Sequence, residues 1–111
     1  THIARFLNDS GVICCASFVA PNADSREHAI SVIGKDNCYL VYCNAPIEVC
    51  IQRDPSGLYA AAEGSDSTDI PGLSFPYVPP ETTHLELDTE ALSIEECLDQ
   101  VFKLMQEEEI I

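Results

Sequence analysis

The chain has 111 residues, of which 46% are apolar, and its 19 acidic and five basic side chains give a formal net charge of −14. This length fits one small domain, so we expect residues 1–111 to form a single domain. The negative charge argues against binding to nucleic acid or an anionic membrane, because both require a positive field. The sequence has no run of eighteen apolar residues and no basic stretch leading into an apolar one, so neither a transmembrane segment nor a secretion signal is predicted.

Six cysteines are many for this length, and they lie within apolar runs that look like strands or helices. They form no CxxC pair and show no zinc-like spacing with histidine. We interpret them as small buried hydrophobic side chains in a reducing compartment, the cytosol or an organelle interior. A disulfide or a metal site is the alternative.

The first third of the chain predicts a helix, a strand and a second helix. Residues 1–10 have helical apolar spacing, and Gly11 suits the position just after a helix. Val12–Val19 carries no charge and predicts a strand buried on both faces. Asp24 or Ser25 is expected to cap a helix that ends near Ile33.

The middle of the chain predicts half of a βαβ unit. Cys38–Cys43 is uncharged and predicts a second buried strand, and residues 47–53 predict a short helix that begins after Pro46. In open α/β sheets, ligands bind beyond the carboxyl ends of the strands. Asn44 and Ala45 are therefore expected at the edge of any site.

Residues 60–81 are rich in proline and serine and predict a long lid-like loop with a short helix at its start. His84–Asp88 alternates apolar and polar residues, which predicts a third strand. A last helix is predicted from a capping box at Ser93 and Glu96. Its expected core stripe consists of Ile94, Leu98, Val101, Phe102 and Met105. The alternation of helices and strands predicts the α/β class, with a parallel sheet of about three strands and helices on both faces.

Several segments resemble the adenylylsulfate kinases (APS kinases), which phosphorylate adenosine 5′-phosphosulfate with ATP. The resemblance runs over nearly the whole chain, in the family's order and spacing. It is carried by Gly11–Ile13, Ser17–Pro21, Arg26–Glu27, Ala45–Cys50, Arg53–Pro55, Gly57–Tyr59, Pro76–Tyr77, Pro79–Glu81 and Leu85–Thr89. It implies a P-loop-kinase-like fold of three layers, αβα.

The sequence departs from that family where charge matters most. The phosphate-binding motif GxxxxGK[ST] is absent from residues 1–111, so the resemblance implies no catalytic residue here and no cofactor. ATP and magnesium are expected only if a P-loop is supplied elsewhere. In the lid, Thr68 stands where the family has a substrate-binding lysine, Glu63 replaces an arginine and Ile70 replaces the aromatic ring that stacks on adenine.

Three residues at family nucleotide-binding positions are retained: Arg26, Arg53 and Asp54. The resemblance implies that Arg53 could lie over an adenine and that Arg26 could meet a phosphate. The alternative, which we favour, is that Arg53 pairs with Asp54 or a helix end and Arg26 with Glu27 or solvent. Under this alternative, the role of Asp54 is to maintain the geometry of the turn that follows the helix.

The resemblance also implies a missing strand, because the family's P-loop strand lies between those matching Val12–Val19 and Cys38–Cys43. A preceding segment or another chain could cover the open edge, or the two strands could pair directly. We therefore expect a catalytically inactive domain related to sulfate assimilation, with a structural, regulatory or assembly role. The alternatives are a fragment of an active APS kinase or PAPS synthase, and an accessory subunit of a larger assembly.

Overall fold

The computed structural model of the protein describes residues 1–62 and 69–111. Along the described chain, two helices and a 3₁₀ turn precede the first strand, two helices separate it from the second, and one helix follows. In order they are α1 (His2–Asp9), α2 (Ala23–Ile33), a 3₁₀ turn (Lys35–Asn37), β1 (Val41–Asn44), α3 (Ile47–Arg53), α4 (Leu58–Ala62), β2 (Leu85–Asp88) and α5 (Ile94–Glu107). None of the helices in these two ranges combines the length and the apolar character needed to cross a bilayer.

The sheet consists of β1 and β2, which run parallel with Val41 opposite Leu85 and Asn44 opposite Asp88. The predicted α/β class and parallel sheet are confirmed. The first strand begins three residues later than predicted, at Val41. Just before it, Leu40 is bonded to the start of the facing segment. Its carbonyl accepts from the backbone N–H groups of His84 at 3.0 Å and Leu85 at 3.4 Å, and its own N–H donates to the His84 Nδ1 at 2.9 Å.

The predicted strand at Val12–Val19 is wrong, because this segment forms neither strand nor helix. Within the described residues, no backbone–backbone hydrogen bond joins residues 13–19 to another segment. Its large apolar side chains are open to solvent, with Phe18 75% exposed. An isolated strand has no hydrogen-bonding partner, so an apolar sequence alone does not produce a strand here. Direct pairing of this segment with β1 is likewise not found.

The ends of the helices follow local rules. Gly11 has a φ of +79° just after α1, as its predicted position requires. α2 is capped by Asn22, whose side chain accepts from the Ser25 N–H at 2.9 Å, and not by Asp24 or Ser25 as predicted. The predicted capping box at Ser93 and Glu96 is present in full.

The hydrophobic core of the described residues is small. Leu87 and Ile70, each 4% exposed, are the buried hydrophobic residues there. The predicted core stripe of α5 is only partly correct, because Ile94, Leu98 and Phe102 are between 50% and 76% exposed. With two strands, the sheet is too narrow to cover the whole apolar face of α5.

Candidate functional site

The carboxyl edge of the sheet gathers the polar side chains of the fold. β1 ends at Asn44 and β2 at its register partner Asp88. Thr89 ties the two ends together, because its N–H and its hydroxyl both donate to the Asn44 carbonyl, at 2.9 and 3.0 Å. The position of Asn44 at this edge is the one predicted from the end of the first strand.

A chain of hydrogen bonds crosses one face of the sheet at this edge. The Tyr42 hydroxyl donates to the Asn44 Oδ1 at 3.2 Å, and the Asn44 Nδ2 donates to the Glu86 Oε1 at 2.8 Å. Tyr77 stacks on Tyr42 with ring centroids 6.1 Å apart and ring planes 10° apart. The pKa of Tyr42 is raised, first by burial and then by Tyr77 and Glu86, so this hydroxyl remains protonated at neutral pH.

Sequence reasoning missed this cluster of Tyr42, Asn44, Tyr77 and Glu86 as a unit. A signal was available, since Tyr42 and Asn44 are two apart on one strand and Glu86 faces Tyr42 in the parallel register. Tyr77 could not be placed, because it belongs to the long loop before β2.

Arg26 joins this cluster from α2. It is 7% exposed, and its Nη1 donates to the Ala20 carbonyl at 2.8 Å. Its charge lies close enough to Tyr42 to lower the pKa of that hydroxyl, against the larger effects that raise it. The expectation that Arg26 pairs with Glu27 or solvent is therefore wrong. The side chain is built into the fold and fixes the backbone at Ala20, where φ is +40°.

Arg53 lies on the other face of the sheet. Its Nη1 donates to the Thr89 carbonyl at 2.8 Å, while the rest of the side chain is exposed. Together with Cys43 and Leu87, Arg53 lines a cavity of about 290 Å³. Cys43 follows Tyr42 on the strand, and successive strand residues point to opposite faces. The structure therefore separates Arg53 from Arg26, and it pairs Arg53 with neither Asp54 nor a helix end.

Asp54 caps the start of α4. Its Oδ1 accepts from the Tyr59 N–H at 3.2 Å and its Oδ2 from the Ala60 N–H at 3.0 Å. These bonds, with that from Ala60 the strongest, hold the pKa of Asp54 below its ordinary value. Gly57 completes the turn with a φ of +70°. In this structure Asp54 has the role in turn geometry that the sequence favoured.

The lid-like loop of residues 60–81 is described in part. Glu63 and Thr68, two of its departures from the APS kinase pattern, lie outside the described residues. Ile70, at the family's aromatic position, is buried, and its N–H donates to the Ser74 hydroxyl at 3.3 Å. Gly72 has a φ of +86°, and a Cβ there would come within 3.3 Å of the Ile47 side chain. This part of the loop packs on α3.

Residues 1–62 and 69–111 contain no group of three His, Cys, Asp or Glu side chains that could hold a metal ion. All six cysteines lie within these ranges and are free thiols.

Comparison with known proteins points to one family. The family model for adenylylsulphate kinase matches residues 1–88. The bifunctional enzyme CysN/CysC of Rhodopirellula baltica is 39% identical over 105 residues, which cover 95% of this chain and 16% of that protein. The adenylyl-sulfate kinase of Bacteroides thetaiotaomicron is 39% identical over 93% of this chain and 51% of its own length. That of Halothermothrix orenii is 37% identical over 95% and 56%. The chain thus spans about half the length of the two kinases.

Proposed function

The chain belongs to the adenylylsulphate kinase family, and on that premise we propose that residues 1–111 serve sulfate assimilation as a structural or assembly module without phosphoryl transfer of their own. One observation carries the proposal: each retained nucleotide-binding position is occupied by a contact within the chain. Arg26 is bound to the Ala20 carbonyl, Arg53 to the Thr89 carbonyl and Asp54 to the start of α4.

Phosphoryl transfer to adenylylsulfate brings two anions together, and it requires cations and backbone donors to neutralise their charge. The sequence has no GxxxxGK[ST] motif to supply the donors, and Thr68 stands at the lid position where the family resemblance implies a lysine. Of the two arginines that remain, Arg26 is buried and Arg53 lies on the opposite face of the sheet. This arrangement supports a fold maintained without a site for ATP and magnesium.

We further propose that another polypeptide segment covers the open side of the sheet. β1 pairs with β2 on one edge, and the described residues place no strand on its other edge. Val12, Ile13, Phe18 and Val19 are between 48% and 75% exposed. A strand laid between this segment and β1 would satisfy both edges and bury the apolar side chains. As part of this proposal, residues 1–111 form a single domain and residues 60–81 form a lid-like loop within it.

A second candidate function is participation in an active kinase whose P-loop is supplied from outside residues 1–111. It is favoured by the relatives, since this chain matches only 51% of the Bacteroides thetaiotaomicron kinase. In that case the covering segment would also bring the phosphate-binding motif.

Titration calorimetry of the folded 111-residue chain with ATP–Mg²⁺ and with adenylylsulfate tests the first proposal. We expect no saturable heat with either ligand, with circular dichroism and a cooperative thermal transition showing that the sample is folded. Saturable binding of either nucleotide to the chain alone would overturn the proposal.

Mixing the chain with the half of the Bacteroides thetaiotaomicron kinase that this chain does not match separates the two candidates. If the chain is a module without phosphoryl transfer of its own, the mixture should form a complex and should not turn over adenylylsulfate. Turnover that depends on both parts would support the second candidate, and the Thr68→Lys variant should then raise it by restoring the family's lysine. An undetectable complex would contradict the proposed covering segment.

A further inference from the structure

Two cysteines from distant parts of the sequence line the cavity between the sheet and α5. Cys43 lies in β1, and Cys97 lies in the first turn of α5. The cavity has a volume of about 290 Å³, and Leu87 and Val101 line it as well. Cys43 is exposed and Cys97 is half-buried, so small reagents can reach both thiols. The fold therefore gathers at one cavity two reactive groups that the sequence keeps apart.

The alternation of side chains along β1 fixes the wall on which Cys43 lies. Cys43 follows Tyr42 on the strand, so its side chain leaves the face that carries the polar cluster and points to the other face. Leu87, the register partner of Cys43, lines the cavity on that same face. Cys97 lines the cavity from the helix. A disulfide between the two cysteines would thus cross the cavity from the sheet to α5.

The two thiols also affect each other's ionisation. Partial desolvation raises the pKa of Cys43, and the charge of the Cys97 thiolate raises it further. The pKa of Cys38, in contrast, is raised by burial alone. Charges near a protein surface are largely screened from each other beyond about 10 Å. The mutual effect therefore agrees with the shared cavity in placing the two thiols close together.

The cavity also gives the two walls room to approach. A disulfide requires Cα atoms within about 7 Å of each other. Since a cavity lies between Cys43 and Cys97, the start of α5 can move towards β1 without displacing packed side chains. Arg53 lines the same cavity, so a cation is present there to stabilise an attacking thiolate.

We propose that Cys43 and Cys97 are a reversible redox pair, which a low-molecular-weight disulfide such as oxidised glutathione converts into a disulfide that ties α5 to β1. The Cys97 thiolate attacks one sulfur of oxidised glutathione, and the sulfur–sulfur bond breaks to release one reduced glutathione. The Cys43 thiol then gives up its proton, attacks the Cys97 sulfur and releases the second. Two protein thiols lose two electrons and two protons, and one glutathione disulfide becomes two thiols.

The order of the two attacks follows from the ionisation of Cys43. Its raised pKa keeps this thiol protonated at neutral pH, and only the thiolate is a nucleophile. Cys43 is therefore assigned the second, intramolecular attack, in which closeness compensates for the small thiolate fraction. The redox pair does not depend on whether the protein transfers a phosphoryl group.

The test treats the folded 111-residue chain with oxidised glutathione, blocks the remaining thiols with N-ethylmaleimide and maps the disulfides by mass spectrometry of proteolytic peptides. The Cys43–Cys97 disulfide should exceed every other pairing by at least about tenfold, because the fold holds these thiols at a high effective concentration. The same treatment in urea is the control and should lose this preference. A mixed disulfide that persists on either cysteine of the folded chain, another pair in excess, or no oxidation of the two thiols would overturn the proposal.

Variants test the roles of the two thiols. Cys43→Ser should accumulate the mixed disulfide of glutathione at Cys97, because the second attack is lost. Cys38→Ser is the matched control, since it removes a half-buried thiol just before β1 and should leave the Cys43–Cys97 disulfide unchanged. Urea denaturation gives a second measurement: oxidation should raise the unfolding midpoint of the unaltered chain and of Cys38→Ser, and dithiothreitol should reverse the rise. An equal rise in Cys43→Ser would contradict a bond across the cavity.

Discussion

Two apolar segments of this chain, Val12–Val19 and the sheet strand β1, have similar sequences and different structures. Both are free of charge and dominated by β-branched, aromatic and cysteine side chains. β1 is held in register by β2 and by the bonds of Leu40 and Thr89 at its two ends. Among the described residues, Val12–Val19 has no such neighbour, and its large apolar side chains are exposed to solvent.

The difference shows what an apolar run encodes. Its composition encodes a preference for burial, which is a property of the segment. The strand itself is a property of a pair, because the backbone N–H and C=O groups must find partners on a neighbouring segment. A chain can therefore carry a strand-forming sequence in a place where the fold at hand forms no strand.

The largest expected effect distinguishes the two segments by their packing. Leu87→Ala removes a side chain that is 4% exposed between the sheet and α5. We expect it to lower the free energy of unfolding by about 2–4 kcal/mol through lost burial and the cavity left behind. Urea denaturation followed by circular dichroism measures this change.

Phe18→Ala is the matched control for Leu87→Ala. Its ring is 75% exposed, so the substitution should change the free energy of unfolding by about 0.5 kcal/mol or less, although it removes a larger side chain. A loss as large as that of Leu87→Ala would mean that Val12–Val19 is packed in solution, and the contrast between the segments would fail.

The next effect concerns Arg26, which anchors the loop after Val12–Val19. Arg26→Met keeps most of the side-chain volume but leaves the part-buried Ala20 carbonyl without its charged donor. We expect a loss of about 1–3 kcal/mol in the free energy of unfolding, measured by the same denaturation.

Arg53→Met makes the same chemical change at an exposed guanidinium. Water can replace its bond to the Thr89 carbonyl, so about 1 kcal/mol or less should be lost. If Arg26→Met lost no more stability than Arg53→Met, Arg26 would have no structural role and would be available to a ligand. That result would weaken the proposed function.

A smaller effect is expected at the start of α5, where the side chain of Ser93 caps the helix. Ser93→Ala removes the hydroxyl that accepts from the Glu96 N–H at 3.2 Å. A cap of this kind contributes about 1 kcal/mol. Ser31→Ala, whose hydroxyl donates to a carbonyl inside α2, should cost less, and a thermal shift assay compares the two. Equal midpoints would indicate that the capping box does not stabilise α5.

These contrasts explain which features the sequence could predict. The cap at Ser93 and the turn at Asp54–Gly57 are written in residues a few positions apart, and both are found as expected. The parallel pairing followed from the alternation of helices and strands. Local chemistry and periodicity were sufficient for all three.

Other features depend on an unusual backbone conformation or on contacts between distant segments. The contact of Arg26 with Ala20 requires the sharp backbone at Ala20, which no side-chain pattern announces. The stacking of Tyr77 on Tyr42 joins a loop to a strand 35 positions earlier in the sequence. The failure of Val12–Val19 to form a strand, like the exposure of the α5 stripe, depends on what lies beside it. The sequence of a segment describes its own preferences and not its neighbours.

The smallest effect is a dependence of stability on pH, which arises from the carboxylates that cap α4 and α5. Backbone donors lower the pKa of Asp54, chiefly the Ala60 N–H, and the Ser93 N–H and hydroxyl lower that of Glu96. Ordinary values are about 3.9 for Asp and 4.3 for Glu, so both caps stabilise the fold fully above these values. The stabilisation is lost as pH falls through the lower pKa values of the folded state.

The variant Asp54→Asn with Glu96→Gln removes both titrations. Compared with the unaltered chain, it should be less stable at pH 7, and the difference should narrow as the pH is lowered towards 3, when the carboxylates of the unaltered chain become protonated. Both groups are exposed, so solvent screening keeps the difference small. Glu81→Gln with Glu90→Gln removes the same charge from exposed positions outside these caps. The difference in stability between this variant and the unaltered chain should stay constant across this pH range. A constant difference for the Asp54 and Glu96 variant, with no narrowing at low pH, would show that these carboxylates do not cap the helices in their ionised form.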